Sequence, residues 1–169
     1  FTRMTELTQP DEALLELAHR HAGLPVDARL EALSETILSA MPFTPGVTDV
    51  ASNAAEAYLG GYGVCQDHTH VFLACCRALG LPARYVSGYL YSQDSEHVAS
   101  HAWAEVWQDG SWHTFDVTNQ TRLPRHHLKL AVGLDYMDAC PVRGVRFGGG
   151  IESLKAVAEV RQSSSSRCQ

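Results

Sequence analysis

Gly60-Gly61-Tyr62-Gly63-Val64-Cys65-Gln66-Asp67-His68 decides how the rest of the chain is read: three glycines lead into one cysteine, and an apolar periodic run follows. Val71, Phe72, Cys75 and Leu79 recur at helical spacing, which predicts a helix that begins at Cys65 and stops at Gly80. A cysteine in that place meets unpaired N–H groups and the positive end of the helix dipole, both of which favour thiolate over thiol. The glycines let the backbone turn sharply and let a substrate come close. Taken alone, the same residues describe a buried cysteine opening a core helix. Which reading holds depends on what the chain brings beside it.

Upstream the pattern is helical. Phe1 to Gln9 is a polar lead-in, and Pro10-Asp11-Glu12 opens a helix that runs to about His21 with Leu14, Leu15, Leu17 and Ala18 on its apolar face. His19 and His21 read as solvated. Gly23-Leu24-Pro25 breaks that helix, and a second, about Asp27 to Ala40, sets Leu30, Leu33, Ile37 and Met41 at three- and four-residue steps. Pro42 to Asp49 is a loop, and Thr48 or Ser52 is placed to cap a short helix from Asn53 to Leu59.

Downstream the period changes to that of strands. Ala83 to Tyr91 is rich in β-formers, His101 to Trp107 alternates, Asp109-Gly110 is a hairpin turn, and Ser111 to Val117 returns antiparallel. Gln93 to Val98 is a polar loop and Leu128 to Val132 a further strand. Asp135 to Gly150 is loop-rich, Leu154 to Val160 suits a last strand or a helix, and Ser163 to Gln169 is a disordered tail. Helices first and meandering strands after predict an α+β fold, N-terminal helices packed on an antiparallel sheet.

Composition limits the partners. The 169 residues suffice for one core, assigned to residues 1–162, and 13 basic against 19 acidic residues give a net charge of −6. No Lys/Arg cluster offsets that charge, so neither nucleic acid nor a membrane is expected as partner. Five cysteines without framework spacing predict free thiols, a reducing compartment and a cytoplasmic location. No metal or cofactor is expected. Neither Cys-x-x-Cys nor His-x-x-x-His is present, and His68 and His70 do not share a helix face.

Three residues combine into a candidate site: Cys65 at a helix start, His101 at a strand start and Asp116 near the end of the next strand. Pairing outward from Asp109-Gly110 sets Asp116 opposite Trp103 and diagonal to His101, a separation side chains can close. A carboxylate on one ring nitrogen fixes the histidine tautomer, and the other nitrogen takes the thiol proton. The backbone N–H of Cys65 is a natural oxyanion donor.

These residues carry a resemblance. Gly63-Val64-Cys65-Gln66-Asp67, the run Ala78 to Tyr89, Ser100-His101-Ala102-Trp103-Ala104-Glu105-Val106 and Phe115-Asp116-Val117-Thr118-Asn119 together resemble the bacterial transglutaminase-like superfamily, often described as candidate cysteine proteases. Ala131 to Tyr136 and Pro141 to Val145 extend the likeness, which runs from about Asp11 to Gly149. It implies a papain-like core with the triad Cys65, His101 and Asp116. Members often carry a β-rich domain before that core, so this chain is expected to be a fragment lacking one. Two departures stand out: His68-Thr69-His70 replaces Phe-Ala-His, and Val117 replaces a proline.

Gln66, Asp67, His68 and Trp103 are expected to bind substrate or support the site. Asp67 would cap the helix or pair with Arg84, His68 would tune substrate choice or pH profile, and Trp103 would wall the cleft or fill the core. His113, His126 and His127 read as surface residues. The expected activity is thiol-dependent acyl transfer on a peptide or amide through a thioester, resolved by water in a peptidase or amidase. The alternatives are resolution by an amine, as in a transglutaminase, a non-catalytic peptide-binding domain, and a metal site using Cys65 or His68 with His101.

Overall fold

A computed structural model describes residues 1–46, 50–91 and 100–140. The elements are a 3-10 turn (Glu6–Thr8), α1 (Glu12–His19), α2 (Val26–Ala40), α3 (Ala54–Gly60), α4 (Cys65–Ala78), β1 (Ala83–Leu90), β2 (Ser100–Gln108), β3 (Ser111–Phe115), β4 (His127–Gly133) and α5 (Tyr136–Ala139). The four longer helices precede the strands, as the change of period predicts, the short α5 follows them, and the architecture is α+β. The expected loop Gln93 to Val98, the element Leu154 to Val160 and the tail lie outside the described residues.

Local chemistry explains the boundaries. Asp11 caps α1 by accepting from the Leu14 amide at 2.9 Å. Thr48 lies outside the described residues, and the cap of α3 is Asn53, the residue after the expected Ser52. Its Oδ1 accepts from the Glu56 amide at 2.9 Å while Glu56 Oε2 accepts from the Asn53 amide at 3.1 Å, a reciprocal capping box. Gly61, at φ +70°, ends α3 in the left-handed region and turns the chain toward Cys65. The lead-in expected to be merely polar contains a buried turn: Leu7 and Thr8 pack inward.

α4 is the central element. Every residue from Gln66 to Arg77 is buried, although the sequence pattern marks a single apolar face. The reason is layering, since α1, α2 and α3 cover one side of α4 and the sheet covers the other. Leu14, Leu17, Leu30, Leu33, Ile37 and Met41 supply the helical half of the core. On the sheet side the rings of Phe72 and Phe115 lie 5.2 Å apart.

The sheet is antiparallel throughout, in the order β3-β2-β1-β4. Asp109 and Gly110 both have positive φ, 48° and 82°, the type I′ turn that matches strand twist. Register follows from it: Gln108 faces Ser111 and Ala104 faces Phe115. β4 departs from a simple meander, because it crosses to the far side of β1 and pairs there with a bulge between Ser87 and Gly88. Gly88 is needed at that crossing: a Cβ would sit 2.0 Å from the Leu128 carbonyl oxygen and 2.8 Å from the Trp103 ring.

Candidate active site

Cys65 is the first residue of α4 and is half-buried. The first helical bond runs from the His68 amide to the Val64 carbonyl at 3.1 Å, so the amides just before it have no acceptor within the helix and lie at the same helix start as Cys65. Asp67 fixes this corner by accepting the Val64 amide on Oδ2 at 2.8 Å. Gly63 makes room for that cap, since a Cβ there would come within 2.8 Å of the Asp67 Cβ. Its missing side chain thus serves the cap, where the sequence pattern suggested substrate access. The alternative pairing of Asp67 with Arg84 is not found: Arg84 pairs with Glu105 at 2.6 Å.

His101 stands at the start of β2 and is buried. Asp116 follows β3 directly, also buried, in a tight bend closed by paired backbone bonds with Thr121 of 2.9 and 3.1 Å. His101 Nε2 lies 2.7 Å from Asp116 Oδ2. A carboxylate accepts only, so Nε2 carries the proton and Nδ1 is the nitrogen left for Cys65. Burial pulls the His101 imidazolium down, but hydrogen bonds to Asp116 and Cys65 outweigh it and lift the group to about 9. Burial likewise opposes the Asp116 carboxylate, and His101, Asn119 and His127 together bring its pKa below the usual range.

The other expected residues take supporting places. Trp103 is buried and stacks on His101, centroids 6.0 Å apart and planes at 24°, so it backs the imidazole rather than walling a cleft. Gln66 donates from Nε2 to the Val50 carbonyl at 3.2 Å. His68 is fully buried: Nε2 donates to the Met41 carbonyl at 2.7 Å and Nδ1 accepts from the Thr118 hydroxyl at 2.9 Å. Burial lowers its pKa. It ties α4 to the end of α2 and to the bend after Asp116, and offers no free nitrogen to a substrate.

Two residues escaped the sequence reading. Asn119 donates its backbone amide to Asp116 Oδ1 at 3.1 Å and its side-chain amide to Oδ2 at 2.8 Å. His127, expected on the surface, has a side chain only 5% exposed, and its Nε2 lies 2.9 Å from Asp116 Oδ2. Nothing local marks it; only the crossing of β4 to β1 carries it there.

His101, Asp116 and His127 are the described residues that come nearest to a metal set, their ligand atoms lying within 4.8 Å of one another. They do not fit one. Nitrogens 2.7 and 2.9 Å from a single oxygen are at hydrogen-bond separation, whereas ligands at about 2.0–2.1 Å from tetrahedral zinc stand roughly 3.3 Å apart. His127 Nδ1 also lacks the outer partner that ligating imidazoles use. The combination of His68 with His101 is closed by the two hydrogen bonds of His68.

Comparison with known proteins bears on the family of the chain. The profile of the transglutaminase-like superfamily matches residues 16–117. An uncharacterised Mycobacterium leprae protein is 37% identical over 128 residues, which cover 72% of this chain and 46% of that protein. A Mycobacterium tuberculosis relative is 35% identical over 128 residues, 69% of this chain and 41% of its own. The chain therefore spans less than half the length of these curated relatives. Among solved structures, a candidate cysteine protease from Cytophaga hutchinsonii is 30% identical with a TM-score of 0.71, covering 82% of this chain and 47% of that one.

Proposed function

Since the chain belongs to the transglutaminase-like superfamily, we propose that it is a thiol-dependent acyl transferase acting on amide bonds, with water as the usual acceptor and hence peptidase or amidase activity. The observation that carries this reading is the 2.7 Å bond of His101 Nε2 to Asp116, which leaves Nδ1 for Cys65, a neighbour that also raises the His101 pKa. His101 takes the Cys65 proton on Nδ1, and the sulfur attacks the amide carbonyl. The oxyanion meets the amides at the start of α4. The imidazolium then gives its proton to the leaving amine, and water, deprotonated by the same nitrogen, cleaves the thioester. Asp116 keeps the proton on Nε2 throughout.

Gln66, Asp67, His68 and Trp103 hold these groups in place. The partner is a peptide or amide, and nucleic acid and membrane are not partners. No helix among the described residues is long and apolar enough to cross a membrane. Cys65, Cys75 and Cys76, free thiols among the described residues, support a reducing, cytoplasmic setting.

The first test is selective alkylation. An iodoacetamide probe is expected to label Cys65 first, and His101→Ala to abolish that preference. Even labelling of the cysteines would refute the proposal. Screening peptides and amides with and without a primary amine then separates the acceptors. Ammonia or amine release without incorporation is the expected result; incorporation would reassign the acceptor as an amine.

A further inference from the structure

Asp116 Oδ2 accepts two imidazoles as well as an amide, and the second imidazole has no part in the proposed reaction. The deprotonated carboxylate only accepts, so the His127 contact at 2.9 Å is an Nε2–H donated to Oδ2. Among the described residues that bond is the ring's sole polar anchor. Nδ1 is buried with no hydrogen-bond partner, and the ring stands edge-on against Trp103, centroids 4.8 Å apart at 82°. Leaving a buried ring nitrogen unpaired costs about 1–3 kcal/mol, so packing alone does not account for an imidazole here; an apolar ring would fill the same space without that cost. The surrounding strand is built to deliver it. The bulge at Ser87/Gly88 and the missing Cβ of Gly88 let β4 close on β1 beside Trp103, and His127 is the first residue of β4.

We propose that His127 is a positioning residue for Asp116: its Nε2–H holds the carboxylate still and takes up part of its charge, which limits how strongly Asp116 holds the His101 proton. The role rests on the Cys65–His101–Asp116 reading only for its effect on rate; the coupling between the two imidazoles is a property of the folded chain. Among the described residues, the titratable groups facing His101 are Cys65 from α4, Asp116 after β3 and His127 from β4. The carboxylate oxygen accepts from both His101 and His127, so its pull is divided between them.

The direction follows. Without the second donor, Asp116 keeps more charge for His101, and His101 becomes harder to deprotonate. His127→Phe keeps a ring against Trp103 and removes the N–H; His127→Gln restores an amide N–H near the position of Nε2. NMR titration of the His101 ring in the whole chain is expected to show its midpoint rising by roughly 0.5 or more in pH in His127→Phe and returning toward the parent value in His127→Gln. The alkaline limit of Cys65 alkylation should move in step, to higher pH in the Phe variant, because a more basic His101 keeps the proton taken from Cys65 further up the pH scale. A His101 midpoint unchanged in His127→Phe, or a shift that Gln does not reverse, would overturn the proposal, as would a lowered melting temperature with an unmoved midpoint. Because the NMR midpoint needs no turnover, failure of this coupling is distinguishable from failure of the acyl-transfer reading, which the His101 dependence of labelling tests.

Discussion

Asp116 Oδ2 gathers three donors, from His101, Asn119 and His127, onto a single oxygen. Asp116→Asn replaces a charged acceptor with a neutral amide that also presents donors to the rings, so the His101 tautomer is no longer enforced. Cys65-dependent turnover is expected to fall about 10³-fold or more, and the alkaline limb of its pH profile to move to lower pH, read from rates between pH 6 and 10. The stability linkage has a definite sign. His101 is raised from 6.5 to about 9, so its contribution is complete below 6.5 and is lost as pH rises through 9. At this scale the sequence was informative where contacts are local to one turn: Asp109-Gly110 fixes the hairpin register, and the register puts His101 beside Asp116. It was silent on His127, because no rule of local spacing says that β4 crosses to β1 with a bulge.

Within α4, the twelve buried residues from Gln66 to Arg77 include six that are polar, and each holds a hydrogen bond. Hydrophobic periodicity registers only apolar side chains, so it described one face of an element that is enclosed on all sides. The enclosure has consequences for acid stability. His70 is fully buried and accepts the Tyr136 amide on Nε2 at 3.1 Å, which stitches α5 to α4. Burial lowers its pKa to about 4. An unfolded chain protonates this ring near 6.5 and the folded chain does not until about 4, so stability falls as pH drops through that window, by up to about 3 kcal/mol from this residue. Urea unfolding at pH 7 and pH 4.5 measures the loss, and His70→Gln is expected to flatten it. At the helix start, Asp67→Ala removes the cap on Val64. A loss of about 1 kcal/mol, together with slower alkylation of Cys65, is expected; unchanged alkylation would show that the cap does not set the position of the sulfur.

Across the whole molecule the layers meet at Arg77 near the far end of α4, well along the chain from the reacting groups. Its guanidinium donates to Thr8 Oγ1 at 2.9 Å, to the Ala83 carbonyl through Nε and Nη2 at 3.1 and 2.9 Å, and to the Leu134 carbonyl at 2.5 Å. One side chain thus joins the N-terminal turn, the start of β1 and the approach to α5. Burial lowers its pKa to about 10, so it remains a cation at neutral pH. The sequence could not assign this role, since the three acceptors are set by tertiary approach and two of them are backbone carbonyls that belong to no motif. Removing Arg77 strands those acceptors inside the protein. Arg77→Ala should cost about 3 kcal/mol or more, and Arg77→Lys, with a single ammonium in place of a planar fork, more than half of that. Urea midpoints at pH 7 give both values. Cys65 alkylation in the folded fraction is expected to stay within about twofold of the parent, because no partner of Arg77 is shared with His101 or Asp116. A loss below about 1 kcal/mol in Arg77→Ala would mean that water replaces the guanidinium at these carbonyls, and a fall in alkylation comparable to that of His101→Ala would mean that the two ends of α4 are coupled.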